Sequence, residues 1–136
     1  MAYAIKAAID DPRARTFVFS AAKTMYGGKH IAQGDTVFVF SSETQGGSGL
    51  IARGVVASAE PTPRVPGVVR QTPRVSITVD RLAAAKRPLG RDGLKTFKAW
   101  SDGRPETELN FKFYRQATNK IVGISDATAA FLDRFF

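Results

Sequence analysis

The sequence of 136 residues contains no cysteine and only one histidine. The absence of cysteine excludes a disulfide framework, a cysteine-ligated zinc site and a cysteine nucleophile, and it fits a reducing compartment. The lone histidine, His30, has no cluster of carboxylates around it in the sequence, which argues against a metal site. No apolar run approaches the roughly 18–20 residues that a membrane-spanning helix requires. We therefore predict no metal, no cofactor and no membrane partner.

The amino-terminal segment does not resemble a signal peptide, because Asp10 and Asp11 directly follow its apolar stretch. The expected location is therefore the cytoplasm. Domains commonly contain roughly 100–200 residues, so the length predicts one domain over residues 1–136. Hydrophobic residues make up 43% of the chain and charged residues 24%, which is enough apolar material for one core and argues against disorder.

The positive charge of the sequence is concentrated in its middle third. The chain carries 20 Lys and Arg residues against 12 Asp and Glu residues, a net charge of +8. Residues 61–104 hold ten of the basic and three of the acidic residues, whereas the segments on either side are close to neutral. A localised excess of cations is what a polyanion-binding surface needs, because neutralising phosphates releases condensed counterions. The alternative is a solvated surface whose charge serves solubility.

Short apolar runs bounded by Gly, Pro and Asp predict a chain dominated by strands. Residues 36–40 are apolar on both faces, which predicts a central strand buried on both sides. The run from residue 17 to residue 26 is compatible with a strand or a short helix. Gly54 predicts a bulge or bend within its strand. The further candidate strands are residues 3–9, 50–59, 75–80, 111–114 and 121–124.

Two helices are predicted near the end of the chain. Asp92 is expected to cap a short helix that runs through Trp100, and Ser125 is expected to begin a terminal helix. Residues 60–73 contain four prolines and predict a loop, because proline cannot donate to a ladder of hydrogen bonds. The predicted fold class is α+β, mainly β: a closed or nearly closed barrel of about six strands with a few short flanking helices.

Three segments, taken in order, resemble EVE-domain proteins of the PUA-like superfamily, which also includes YTH and ASCH domains. Residues 31–42 place a Gly-Asp turn before an aromatic strand that ends in Ser41 and Ser42, and residues 49–56 form a return strand with a glycine. Residues 113–116 end in Arg-Gln and precede a short strand and a helix. The resemblance implies a PUA-like barrel that binds RNA or DNA and has a pocket for a modified base.

Such a pocket would need aromatic faces on which a base can stack, polar groups for the base edge, and cations for the backbone. The predicted stacking residues are Tyr26, Trp100 and Tyr114, and the predicted edge-reading residues are Ser41, Ser42 and Gln116. The predicted backbone contacts are Lys23, Lys29, Arg53, Arg70, Arg87, Arg91, Lys95, Lys98 and Arg115. Structural roles stay open for several of them: Trp100 as a core or lid aromatic, and Arg115 as a link between a strand and a helix.

No catalytic residues are predicted. Residues 46–49 are rich in glycine but lack the Lys-Ser/Thr ending of a P-loop, and Ser48 is not in a Gly-x-Ser-x-Gly elbow. Asp10 and Asp11 would point to opposite faces of a strand. The chain is therefore expected not to be an enzyme. Two alternatives to a nucleic-acid module remain: an ASCH-like barrel that binds or hydrolyses a modified nucleoside, and a protein-interaction domain. The choice between RNA and DNA and the oligomeric state are open.

Overall fold

A computed structural model describes residues 1–116 and 118–136 of the chain. In these residues six strands form a closed barrel, and three short α-helices cover one side of it, so the predicted fold class is confirmed. The strands are β1 (Ala2–Ala7), β2 (Thr16–Met25), β3 (Thr36–Ser41), β4 (Gly49–Pro61), β5 (Arg74–Ala84) and β6 (Ile121–Ile124). The helices are α1 (Arg91–Leu94), α2 (Pro105–Leu109) and α3 (Asp126–Asp133). None of the described helices has both the length and the apolar character needed to cross a membrane.

The strands follow one another around the barrel in the order β1, β3, β4, β5, β2, β6. Strand β1 runs parallel to β3, and β2 runs parallel to β6, whereas the other neighbouring strands are antiparallel. The pairing of β4 with β5 shifts register at Arg53 and Gly54, as the glycine predicted. Residues 17–25 belong to β2, so of the two conformations that the sequence allowed, the strand is the one formed.

Two hydrophobic cores lie on opposite faces of the same strands. In β3, Val37 and Val39 point into the barrel, while Phe38 and Phe40 point outward beneath the helices, and all four are fully buried. The prediction of a strand buried on both sides is confirmed. The outer core is completed by Leu94 and by several other apolar residues of the helical layer: Leu109, Phe113, Leu132 and Phe135.

The barrel closes along a short line that we call the seam, where β2 meets β6. Within the described residues these strands pair at two positions only, Thr24 with Ile121 and Met25 with Val122. The preceding part of β2 pairs with β5 on its other edge, and it diverges from the end of β1 across the seam. The barrel wall is therefore open between the end of β1 and the part of β2 that precedes Thr24.

Residues 111–114, predicted as a strand, are helical instead. Helix α2 begins with Pro105 at its first position and continues as a π-helical segment over Asn110–Tyr114. Proline is well suited to that first position, and acidic residues in the first turn favour the positive end of the helix dipole. An alternation of only four residues does not distinguish a strand from a helix, and here Leu109 and Phe113, four residues apart, face the core together.

Helix α1 is shorter than predicted and does not begin at Asp92. It spans Arg91–Leu94, with Gly90 at the N-cap, and ends six residues before Trp100. The terminal helix begins as predicted, because the Ser125 hydroxyl oxygen accepts a hydrogen bond of 3.1 Å from the Thr128 N–H.

Gly123 offers a test of the closure, because it joins β6 to the residue that follows β2. Its N–H donates to the Tyr26 carbonyl oxygen, and a methyl group at this position would lie 2.6 Å from that oxygen. We expect Gly123→Ala to lower the free energy of unfolding by about 1–3 kcal/mol, measured by urea titration. Gly93→Ala is the control, since its nearest neighbour would be 3.9 Å away and its effect should be neutral or stabilising. Equal midpoints for both variants would contradict the role of Gly123.

Candidate functional site

A groove of about 760 Å³ lies in the open part of the seam. One wall is the end of β1, and the other is the first part of β2. Residues 44–45 and 118–120 line its ends, and Arg74 of β5 lines it beside β2. We call this cavity the seam groove. Its existence follows from the short pairing of β2 with β6, because strands that do not pair leave their edges apart.

The β2 wall bends at a bulge. The register between β2 and β5 shifts between Phe19 and Ala22, and Ala21 adopts a left-handed conformation with φ of 47°. A residue with a side chain rarely adopts this conformation, so it has to be held by its surroundings. Ala21 is held on both sides, since its N–H donates to the Ser76 hydroxyl (2.9 Å) and its carbonyl accepts from the Arg74 guanidinium (2.8 Å).

The seam groove is lined by four basic residues and by no acidic residue among the described ones; Lys23 and Arg74 are exposed, whereas Lys6 and Lys120 are buried. Lys23 lies directly opposite Arg74 in the ladder between β2 and β5. Like charges at directly opposed positions destabilise a sheet. An anion in the groove would relieve the repulsion between Lys23 and Arg74.

Two of these cations are buried lysines. The Lys6 ammonium donates to the Phe113 carbonyl oxygen at 2.7 Å and lies 4.8 Å from the centre of the Tyr114 ring. Lys120 is 1% exposed, and in the described part of the chain the sulfur of Met25, at 3.4 Å, is its ammonium's one hydrogen-bond acceptor. Burial lowers the pKa of both lysines; for Lys6, Glu43 partly opposes this effect. An ammonium with so weak an acceptor is poorly compensated in the folded protein.

Two amide side chains meet at one end of the seam groove. The Asn119 amide donates to the Gln45 side-chain oxygen at 2.7 Å. In the described residues no other hydrogen bond engages these two side chains, so the pair still presents one acceptor and further donors to the groove.

Beside the groove, Tyr26, Trp100 and Phe111 form what we call the aromatic cluster. The Phe111 ring centre lies 5.9 Å from that of Tyr26 and 5.5 Å from that of Trp100. Tyr26 and Trp100 are 41% and 44% exposed, which is unusual for large aromatic rings and leaves area for a ligand. The Arg115 guanidinium lies 4.8 Å from the Phe111 ring centre, and the Lys112 ammonium 5.4 Å from that of Tyr26.

Lys120 connects the aromatic cluster to the seam groove. It lines the groove, and its ammonium lies 5.5 Å from the centre of the Tyr26 ring. The position of Tyr26 depends on the end of β2, where this residue adopts a φ of 52° and its carbonyl accepts from Gly123 of β6. The hydrogen bond that helps to close the barrel thus also positions the Tyr26 ring.

The predicted stacking and edge-reading residues do not converge on one pocket. The structure brings Tyr26 and Trp100 together through Phe111, but Tyr114 is half-buried elsewhere, where its hydroxyl donates to Glu43 at 3.0 Å. Burial, together with Glu43, raises the pKa of the Tyr114 hydroxyl. Of the three predicted edge-reading residues, Ser41 and Ser42 are buried next to each other, and Gln116 is exposed.

The predicted backbone contacts are spread over several faces of the molecule. Lys23 lines the seam groove, and Arg115 lies on the aromatic cluster. Lys29 and Arg70 lie in a neighbouring cavity at the loop between β4 and β5. The others are placed elsewhere: Arg53 pairs with Asp133, Arg87 packs on Phe135, Lys95 lies near Asp92, and Arg91 and Lys98 are exposed outside the groove.

Six residues of this site were not named individually from the sequence: Lys6, Gln45, Arg74, Phe111, Asn119 and Lys120, although Arg74 falls in the basic middle third. Lys6 could have been noticed from the sequence, because it is the one charged residue in the otherwise apolar strand β1. Phe111 lies in the segment that the sequence predicts as a strand, whereas in the helix its ring faces the aromatic cluster. In the described part of the chain, no group of three or more His, Cys, Asp or Glu residues could hold a metal ion.

No protein-family model and no curated protein matches the sequence, but solved structures share its fold. The DUF55 domain of human thymocyte nuclear protein 1 matches with a TM-score of 0.63 at 13% identity, over 96% of this chain and 95% of that chain. Human THYN1 protein in complex with DNA containing 5-methylcytosine matches with 0.62 at 15% identity, over 96% and 94%. A protein from Pseudomonas putida matches with 0.64 at 12% identity, over 99% of both chains. The chain therefore has the fold of DUF55 domains, and its resemblance to EVE-domain proteins is confirmed at the level of the fold.

Proposed function

We propose that the chain binds nucleic acid and that the seam groove, with the aromatic cluster at its side, accepts a modified base. The observation that carries the proposal is the lining of the groove: four basic residues, of which Lys23 and Arg74 are exposed, and no acidic residue among the described ones. A structural neighbour, human THYN1 protein, has been solved with DNA containing 5-methylcytosine, which supports a ligand of this class.

Each part of the site suits one part of such a ligand. Cations bind phosphates and release counterions, which supplies affinity without sequence preference. An extruded base gains about 1–3 kcal/mol from stacking on an aromatic ring, for which Tyr26 and Trp100 present exposed faces. The amides of Gln45 and Asn119 can pair with a base edge, which is where one base differs from another.

The first test is a fluorescence-anisotropy titration with single- and double-stranded DNA and RNA of about 12 nucleotides, each with and without a methylated base. It is run at about 50 and 200 mM salt, a range in which phosphate contacts strongly affect affinity. We expect binding that weakens with salt and prefers one methylated base. Binding without base preference would overturn base recognition. Failure to bind at low salt, or salt-insensitive binding of a free nucleoside, would overturn the proposal as a whole.

Substitutions separate the contribution of charge from that of stacking. Lys23→Gln and Arg74→Gln should weaken binding of all sequences alike and reduce the salt slope by about 1 each. The control is Lys86→Gln, an exposed cation beyond the opposite end of β5, which should leave the slope unchanged.

Tyr26→Ala should weaken binding by about 5- to 100-fold, from the energy of one stacked base, whereas Tyr26→Phe keeps the ring and should bind normally. Equal losses of affinity in all five variants, the controls Lys86→Gln and Tyr26→Phe included, would contradict this division.

Lys120→Met tests whether a buried cation is kept for binding rather than for stability. Methionine has a similar volume and no charge, so the variant should gain on the order of 1–2 kcal/mol of unfolding free energy at pH 7 while binding nucleic acid more weakly. Burial lowers the pKa of Lys120 in the folded protein. At pH values between this pKa and the pKa of Lys120 in the unfolded chain, the unfolded chain therefore binds more protons than the folded protein. The native protein therefore gains stability as pH rises through that window, and the advantage of the variant should shrink there.

Urea titrations of both proteins between pH 7 and about 10 measure this difference, and anisotropy measures binding. A variant that is less stable than the native protein and binds equally well would show that Lys120 serves the fold instead.

A further inference from the structure

A second cavity, of about 640 Å³, lies under the β4–β5 loop, which spans residues 62–73. We call it the loop cavity. Five cations line it, and none of its described lining residues is acidic. They are Lys23, Lys29, Arg64, Arg70 and Arg74, and all five are exposed. Five cations around one cavity, none of them in a salt bridge among the described residues, repel each other and favour a polyanion that bridges them.

The loop is held in shape by its own hydrogen bonds. The Gln71 side chain accepts from the Val65 N–H and donates to the carbonyl oxygens of Val65 and Val68, each at 2.8 Å. Its base is tied to the barrel, since the Thr24 hydroxyl donates to the Pro73 carbonyl at 2.7 Å. A loop with this many fixed contacts loses little entropy when it binds a ligand.

The loop cavity and the seam groove share a wall. Lys23 and Arg74, which oppose each other across β2 and β5, line both of them. The two cavities are therefore adjacent, and we call their combined basic lining, from the seam groove over this pair to Arg64 and Arg70, the cationic track. A free nucleoside would occupy only one part of such a track, whereas a strand could follow its whole length.

We propose that the loop cavity is a second subsite, which binds the sugar–phosphate backbone next to the base in the seam groove, so that the ligand is a nucleic-acid strand. This inference rests on the proposed function of the seam groove. Val65 and Val68 add apolar surface to the cavity, which suits the apolar faces of sugars between phosphates. The cations of this subsite position the strand and do not read its sequence.

The test compares ligands of increasing length: a nucleoside monophosphate, then oligonucleotides of about 3, 6 and 12 nucleotides carrying the preferred base. The loop variant combines Lys29→Gln, Arg64→Gln and Arg70→Gln, all outside the seam groove. The control variant, Arg13→Gln with Lys86→Gln and Arg134→Gln, removes the same charge from exposed positions off the track. Matching thermal midpoints establish that both variants are folded.

The loop variant should bind the longest oligonucleotide on the order of 10- to 100-fold more weakly than the native protein at 100 mM salt, with a salt slope reduced by about 2. It should bind the monophosphate as the native protein does, and the control should resemble the native protein at all lengths. An unchanged affinity of the loop variant, or an equal loss at every length, would overturn the subsite. Failure of the native protein to bind any oligonucleotide would overturn the proposed function together with it.

Discussion

The arrangement of this surface depends on the short pairing between β2 and β6. Two ladder positions close the barrel, and the rest of β2 stays apart from β1. A longer ladder would fill the seam groove, and the loss of these pairs would open the barrel and release Tyr26. The close approach is possible because Gly28 and Gly123 have no side chain where they meet Ile121 and the Tyr26 carbonyl. The closure of the barrel, the seam groove and the position of the Tyr26 ring therefore all depend on the short pairing of β2 with β6.

The charged residues are divided between two sides of the molecule. Most carboxylates with side-chain partners support the helical layer: Glu108 accepts from Ser125, Thr128 and Lys112, and so ties α2 to the start of α3. Burial alone would raise the pKa of Glu108, but these hydrogen bonds outweigh it and leave the pKa lowered. The seam groove and the loop cavity have cations without such partners. Folding alone would favour neutral or paired residues there, and this is the physical basis for proposing a polyanionic ligand.

Much of the fold could be predicted from local patterns. Residues 36–40 are apolar on both faces and form a doubly buried strand, and Ser125 caps the terminal helix as its type suggests. The errors have a common cause, which is that a short segment carries too little periodicity to decide its conformation. Residues 111–114 alternate as a strand would, yet they continue a helix begun at Pro105, and this turns Phe111 outward and Phe113 into the core.

By itself the sequence determined the strand content, the alternation that builds two cores and the concentration of basic residues in the middle third, because each is a property of neighbouring residues. It also singled out Tyr26 and Trp100, which the structure brings together through Phe111, and Lys23, which lines the seam groove. The tertiary structure alone decided which cations share that surface, since Lys6, Arg74 and Lys120 come from three strand regions far apart in the chain. A groove between strands is defined by pairing across the barrel, and that pairing depends on packing that no local pattern records.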